Sequence, residues 1–166
     1  MILMVGATGV VGGMISQRLL EQGREVRILV RRDSLSSQLV QQGLAASVEE
    51  LIEAGAQPVH GDLRDRASLD GVVEGIEAVI TTANSAMRGG TDDPQSVDLK
   101  GTRNLIEAAW NAGVEHFIFV SLLRADPNDP VPFLQAKRKA NQPYEKVGWS
   151  TRSLPPRRTW KSGQLW

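Results

Sequence analysis

The sequence predicts an α/β fold, a doubly wound parallel sheet of about five strands with helices on both faces, followed by an irregular C-terminal tail. Short apolar or β-branched runs alternate with segments of helical period up to residue 141, as a series of βαβ units requires. The opening run Met1-Ile-Leu-Met-Val5 leads into glycines spaced three apart, Gly6, Gly9 and Gly12, and then into an amphipathic segment. At 166 residues the chain suits one domain, residues 1–141, with residues 142–166 as an atypical tail.

Each glycine of the opening stretch has a physical use. Gly6 lets the backbone turn sharply off the strand, Gly9 lets main-chain N–H groups approach a pyrophosphate, and Gly12 lets the helix pack against the sheet. Phosphate charge would then sit at the positive end of a helix. Gly6, Thr8, Gly9, Val10, Val11 and Gly12 are therefore candidate cofactor-binding residues of a dinucleotide fold. A Gly-rich turn in some other α/β protein is the weaker reading, because these glycines follow a strand-like run and precede a helix-like one. In that helix Val11, Ile15, Leu19 and Leu20 recur at helical spacing, Gln17, Arg18 and Glu21 fall between them, and Gly23 is the stop.

Residues 25–30 form the second strand, which ends in Arg31-Arg32-Asp33, about twenty residues past the glycines. An NAD site usually places an acid there for the ribose 2′-OH. Arg31 and Arg32 instead favour the 2′-phosphate of NADP, held through paired charge-assisted bonds, with Asp33 the acceptor if the cofactor is NAD. Residues 34–55 carry helical apolar positions at Leu39, Val40, Leu44, Val48, Leu51 and Ile52, and Gly43 divides them into two short helices. Residues 56–60 are the third strand. At its mouth Asp62 is a candidate acceptor for the adenine amino group and Leu63 a candidate platform for the ring, with a plain turn at Gly61-Asp62 as the alternative.

The charged residues 64–66 read as a solvated turn, 67–73 as a short helix and 77–82 as the fourth strand. The small residues of Thr82-Ala83-Asn84 would let the cofactor backbone pass close, which makes Ala83 and Asn84 candidate contacts. The polar, Gly-rich loop 85–93 is expected to be mobile. Asp93-Pro94 marks a helix start, with Val97, Gly101, Leu105, Ile106, Ala108 and Ala109 facing inward and Gly113 at the end. Residues 116–121 read as a fifth, fully buried strand with Ser121 at the cofactor end.

Net charge is zero, so nothing global steers the chain to nucleic acid or anionic lipid. Cysteine is absent, which excludes disulfides and thiolate chemistry. The opening apolar run is too short for a signal segment and lacks a basic flank, and no stretch approaches a membrane span, so a cytoplasmic protein is expected. His60 and His116 have no partners at metal-ligand spacing, so no metal is expected.

Gly6-Ala-Thr-Gly-Val-Val-Gly12, Val30-Arg-Arg32, Gly61-Asp-Leu63, Asp98-Leu-Lys-Gly-Thr-Arg-Asn-Leu-Ile-Glu-Ala-Ala109 and Phe119-Val-Ser-Leu122 together resemble the NmrA-like branch of the atypical short-chain dehydrogenase/reductases. The resemblance implies a Rossmann-type fold that binds NAD(P). Members include quinone and isoflavone-type reductases, and redox-sensing regulators that bind the dinucleotide without turning it over. It also implies that the active-site lysine maps to Lys137, in Phe133-Leu-Gln-Ala-Lys137, where it would bond the nicotinamide ribose. Classical members place a tyrosine four residues before that lysine; this chain has Phe133, which has no proton to give. An ordinary exposed helix lysine is the alternative for Lys137.

From Gln142 the pattern stops: the tail has three of the four tryptophans, scattered prolines and no sustained apolar period. Back-translated in a shifted frame, it permits ALRESGLEYTI, a short variable stretch, then YMEKW, which resembles the family's next helix, turn and sixth strand. The expectation is a frameshift near residues 140–142; the alternative is a genuine short variant whose tail covers the fifth strand or binds a partner. Two functions follow: an NADP-dependent oxidoreductase, quinone-reductase-like in its intact form, or a non-catalytic redox-sensing regulator. A truncated, inactive chain is the deflationary reading. Partners expected are the nicotinamide dinucleotide and an unnamed small substrate or protein.

Overall fold

The structure, a computed structural model, describes residues 1–31, 46–86, 91–121, 128 and 130–141. Five strands, β1 (Ile2–Val5), β2 (Val26–Val30), β3 (Gln57–His60), β4 (Ala78–Thr81) and β5 (His116–Phe119), form one sheet in the order β3-β2-β1-β4-β5. Every pairing is parallel. The chain leaves β1 toward β2 and β3 on one side and returns to β4 and β5 on the other. The order therefore reverses between β1 and β4, where open α/β sheets leave a crevice at their carboxyl edge.

The helices are α1 (Val10–Glu21), α2 (Val48–Glu53), α3 (Asp70–Val73), α4 (Thr102–Asn111) and α5 (Pro132–Asn141). A 3-10 turn, Arg66–Leu69, runs into α3, and a π-helical segment, Pro94–Gly101, runs into α4. Alternation along β1 divides the core into two layers, as the period of two in a strand demands. Leu3 and Val5 pack with Val79, Leu105 and Phe117 on one face; Met4 packs with Val26, Ile28 and Leu51 on the other. All four residues of β1 are buried, which is why the sequence there is a continuous apolar run rather than an alternating one.

Two expectations about helix faces need correction. Val11 does not face inward: it is 52% exposed, and α1 meets its surroundings through the small buried residues Gly12, Gly13 and Ser16, with Ile15, Leu19 and Leu20 partly buried beside them. The reason is spatial: a Cβ at Gly12 would sit 2.0 Å from the Gly6 carbonyl oxygen, so only small residues allow the helix this close. In α2, Leu51 is buried as expected but Ile52 is exposed. That helix is short, and its start is fixed by a capping box: the Glu50 N–H donates to Ser47 Oγ and the Ser47 N–H donates to the Glu50 carboxylate. Leu39, Val40, Gly43 and Leu44 lie outside the described residues.

The fifth strand is not fully buried either. Phe117 faces the core, whereas Ile118 is 44% exposed. Ile118 stands in register with Ile80, and Ile80 with Met4, on the face where α1 packs over β1 and β2. By contrast Asp93 caps the π-helical segment with Pro94 behind it, and Val97, Gly101, Leu105, Ile106, Ala108 and Ala109 are all buried as expected. Gly23 and Gly113, the expected stops, both have left-handed backbones just past their helices. Among the described residues no helix is long and apolar enough to cross a membrane.

Candidate functional site

The site begins where β1 ends. Gly6 has φ +88, and a Cβ there would meet Thr82 Oγ1 at 2.8 Å and the Ala83 nitrogen at 2.9 Å, so both the conformation and the space demand glycine. The Gly9 N–H donates to the Gly6 carbonyl at 3.0 Å and closes the turn. Helix α1 then starts from Gly9 with no side-chain cap, which leaves its first-turn amides to solvent or a ligand. An uncapped helix start beside a turn that excludes side chains fits a phosphate group. Val10 and Val11, at the first two helical positions, are exposed there.

Beside this turn lies a narrow cleft at the carboxyl edge of the sheet, with about 50 Å³ of enclosed space. Its walls are Val5, Gly6 and Thr8 from β1 and the turn, Leu29, Val30 and Arg31 from β2, Asp62 and Leu63 after β3, Ala83 and Asn84 after β4, and Asp92 and Val97 beyond. Of the residues expected to bind cofactor, Gly6, Thr8, Arg31, Asp62, Leu63, Ala83 and Asn84 thus share one cleft, with Gly9 to Gly12 alongside. Ser121 is exposed beyond β5 and does not line it. Arg32 and Asp33 lie outside the described residues. The turn bearing Leu63 is held from α4, where Asn104 Nδ2 donates to the Leu63 carbonyl at 2.8 Å and Gly101 leaves room for the Leu63 side chain.

Charges close the end of the cleft beside β2 and β3. Arg31 donates to both carboxylate oxygens of Asp92, at 3.1 and 2.8 Å. Arg64 lies 3.0 Å from Asp92 Oδ1 and donates to Asp62 Oδ2 at 2.6 Å. The hydrogen bond from the Arg64 side chain, aided by its backbone N–H and its charge, outweighs burial and holds the Asp62 carboxyl below its usual 3.8. Arg64 is therefore no part of a merely solvated turn: β2, the turn after β3 and the approach to the π-helical segment meet on these four side chains. The sequence analysis missed Asp92 and Arg64. One signal was available, since Asp93 alone suffices as the helix cap and leaves the adjacent Asp92 without a local task.

Lys137 forms the other pole. Helix α5 packs against the π-helical segment and brings Lys137 opposite Asp98. The lysine is 2% exposed, which overturns the alternative of an ordinary surface lysine. Its Nζ donates to the Ala83 carbonyl at 2.6 Å and lies 3.0 Å from Asp98 Oδ1. Asp98 Oδ2 in turn accepts from the Ser85 N–H at 3.1 Å and from Ser85 Oγ at 2.6 Å. The ammonium also sits 4.9 Å from the Phe119 ring centre and 5.8 Å from that of Phe133. Burial pushes the lysine pKa below 10.5, and the Asp98 charge and hydrogen bond pull it partly back. Asp98 and Ser85 were also missed as site residues, although an aspartate among the inward positions of that helical segment was a sign. The ends of loop 85–93, expected to be mobile, are pinned by these contacts, since Ser85 and Asp92 are both buried; residues 87–90 lie outside the described residues.

The family described as NAD(P)H-binding matches residues 6–149. Photosystem II assembly factor Ycf39 of Cyanophora paradoxa is 33% identical over 150 residues, covering 89% of this chain and 42% of that protein. NAD(P)H azoreductase of Xenophilus azovorans is 31% identical over 156 residues, covering 94% of this chain and 47% of that protein. The chain spans less than half the length of these relatives. Among solved structures, the binary complex of leucoanthocyanidin reductase with NADPH from Vitis vinifera matches with a TM-score of 0.67 at 22% identity, covering 89% of this chain and 46% of that one. At that identity the likeness shows the fold. With a glycine turn on a parallel sheet whose order reverses beside it, and a family match over most of its length, this chain belongs to the NAD(P)H-binding family.

Proposed function

We propose that the cleft binds NADP(H) in preference to NAD(H), and that the intact protein is a reductase of the quinone-reductase-like kind. The observation that carries this is the convergence of the uncapped start of α1, Arg31 and Lys137 on the carboxyl edge of β1, β2 and β4. Gly9, Val10, Val11 and Gly12 offer main-chain amides to the pyrophosphate, and Thr8 lines the cleft beside them. Leu63 packs on the adenine; Asp62, with Arg64 already on its carboxylate, offers the lone pairs that remain. Arg31 takes the 2′-phosphate, and Arg32 is proposed as its companion. Ala83 and Asn84 border the path of the cofactor backbone, and Ser121 stands toward its far end. The nicotinamide supplies a hydride when bound. Lys137 holds the nicotinamide ribose from its place against the Ala83 carbonyl, while Phe133 contributes an apolar wall and no proton.

The test is titration of the purified chain with NADPH and NADH, followed by NADPH consumption with a panel of small quinones. Tighter binding of NADPH and measurable turnover support the reductase; binding of neither nucleotide overturns the reading. Phe133 favours one alternative, a dinucleotide-sensing regulator, which predicts NADPH binding without turnover. The proposed partner is then a protein rather than a small substrate, and the proposed compartment in either case is the cytoplasm. We also propose that residues 142–166 are read out of frame, on the strength of the product that the shifted frame permits.

A further inference from the structure

We propose that Asp92 is a built-in competitor for the adenosine 2′-phosphate, and that it sets how strongly the cleft prefers NADP over NAD. The proposal deepens the cofactor reading above and rests on it. A carboxylate held on a guanidinium places negative charge where a phosphate would dock. Asp92 does this to Arg31, whose Nη1 donates to both of its oxygens at 2.8 and 3.1 Å, and both residues line the cleft. The carboxylate is nearly sealed, with 7% of its side chain exposed, and Arg64 holds its Oδ1 from the other side. Arg31, Arg64, Asp62 and Asp92 carry two positive and two negative charges, so among the described residues these four side chains balance.

A 2′-phosphate that seeks Arg31 therefore meets an anion already on the guanidinium. It must displace Asp92 or bear its repulsion. A 2′-hydroxyl has no such conflict, because it can donate to the same carboxylate. Asp92 thus lowers affinity for NADP(H) and leaves NAD(H) nearly untouched. Removing its charge leaves these four side chains with one more positive than negative charge and takes the anion off Arg31 Nη1.

The experiment measures dissociation constants of the full chain for NADPH and NADH by nucleotide fluorescence, in wild type, Asp92→Asn and Arg31→Leu. Asp92→Asn should raise the preference for NADPH over NADH by about tenfold, the equivalent of about 1.4 kcal/mol, with NADH affinity little changed. Arg31→Leu should reduce the preference below that of wild type. Wild type supplies a check that needs no variant: 2′,5′-ADP should compete only modestly better than 5′-AMP. A gain of about a hundredfold or more, the order that one unobstructed charge-assisted bond gives, overturns the proposal. So does an unchanged preference in Asp92→Asn while Arg31→Leu lowers it, and in both cases the cofactor reading survives. Wild type that binds neither nucleotide overturns that reading and this proposal together.

Discussion

Gly12→Ala adds one methyl group and tests the geometry of the turn directly. The new Cβ would lie 2.0 Å from the Gly6 carbonyl oxygen, 2.7 Å from Thr82 Oγ1 and 2.8 Å from the Gly6 carbonyl carbon. Ordinary contact begins at 3.4 Å, so α1 must retreat from the turn by about 1.4 Å (3.4 − 2.0) or the turn must open. Two of the three atoms are backbone, which leaves no rotamer change that relieves the clash. Overpacking of this kind costs about 1–3 kcal/mol, and for a domain of this size about 2 kcal/mol lowers the melting temperature by roughly 4–8 °C. The first-turn amides move with the helix, and losing one charge-assisted bond to the pyrophosphate weakens NADPH binding about tenfold or more. Gly71→Ala is the control: it lies in α3, nothing stands within 4 Å of its would-be Cβ, and its backbone is not left-handed. It should leave binding alone and stabilise by about 0.4–1 kcal/mol through the unfolded chain. Scanning calorimetry and fluorescence titration read both. A Gly12→Ala protein that melts within about 1 °C of wild type and binds NADPH equally would refute the close approach of α1 to the turn.

Lys137→Met strands the buried Asp98 carboxylate and should cost about 3–5 kcal/mol, whereas the double variant with Asp98→Asn should cost less than the two singles summed; denaturant unfolding of all four proteins checks this. Because the folded pKa of Lys137 lies below 10.5, the unfolded chain binds more protons between the two values, so wild-type stability should rise relative to Lys137→Met as pH climbs toward 10.5. Asp62 has the opposite sense: its lowered pKa contributes stability that is present above 3.8 and lost as pH falls through the folded value, so the margin of wild type over Asp62→Asn should shrink in acid melts. For the tail, the gene's nucleotide sequence should stay open in the shifted frame from the codon for Gln142, and early stops there would refute the frameshift.

The parts of this fold that were legible in the sequence are those written in local pattern. The buried run of β1, the three glycines, the Asp93-Pro94 start and the glycine stops each depend on residues a few positions apart, and the structure places them as expected. The inner face of α1 was legible at Gly12 and not beyond it, because a hydrophobic pattern points to Val11 while Gly13 and Ser16 complete the surface in contact. The exposure of Ile118 escaped for a related reason: an apolar strand reads as buried whether or not a helix lies over its face. The four-charge cluster could not be found from spacing. Residue 31, residues 62 and 64, and residue 92 meet only once β2 and β3 are paired and the chain has passed through β4.

The two ends of the cleft are held by different physics. At the glycine turn, backbone touches backbone, and any side chain is excluded by contact. At the end beside β2 and β3, opposed charges are paired across three segments of the chain. Lys137 and Asp98 fit neither description. A buried ion pair recovers its desolvation cost only in part, and well-packed apolar residues in its place are often neutral or more stable. Ser85 donates both its N–H and its hydroxyl to Asp98, and that carboxylate together with two phenyl rings partly offsets the burial that disfavours the ammonium. Lys137 Nζ also donates to the carbonyl of Ala83, which is itself a wall residue of the cleft. The buried pair thereby ties α5 to the wall of the cleft, through Ala83 on one side and through Asp98 and Ser85 on the other.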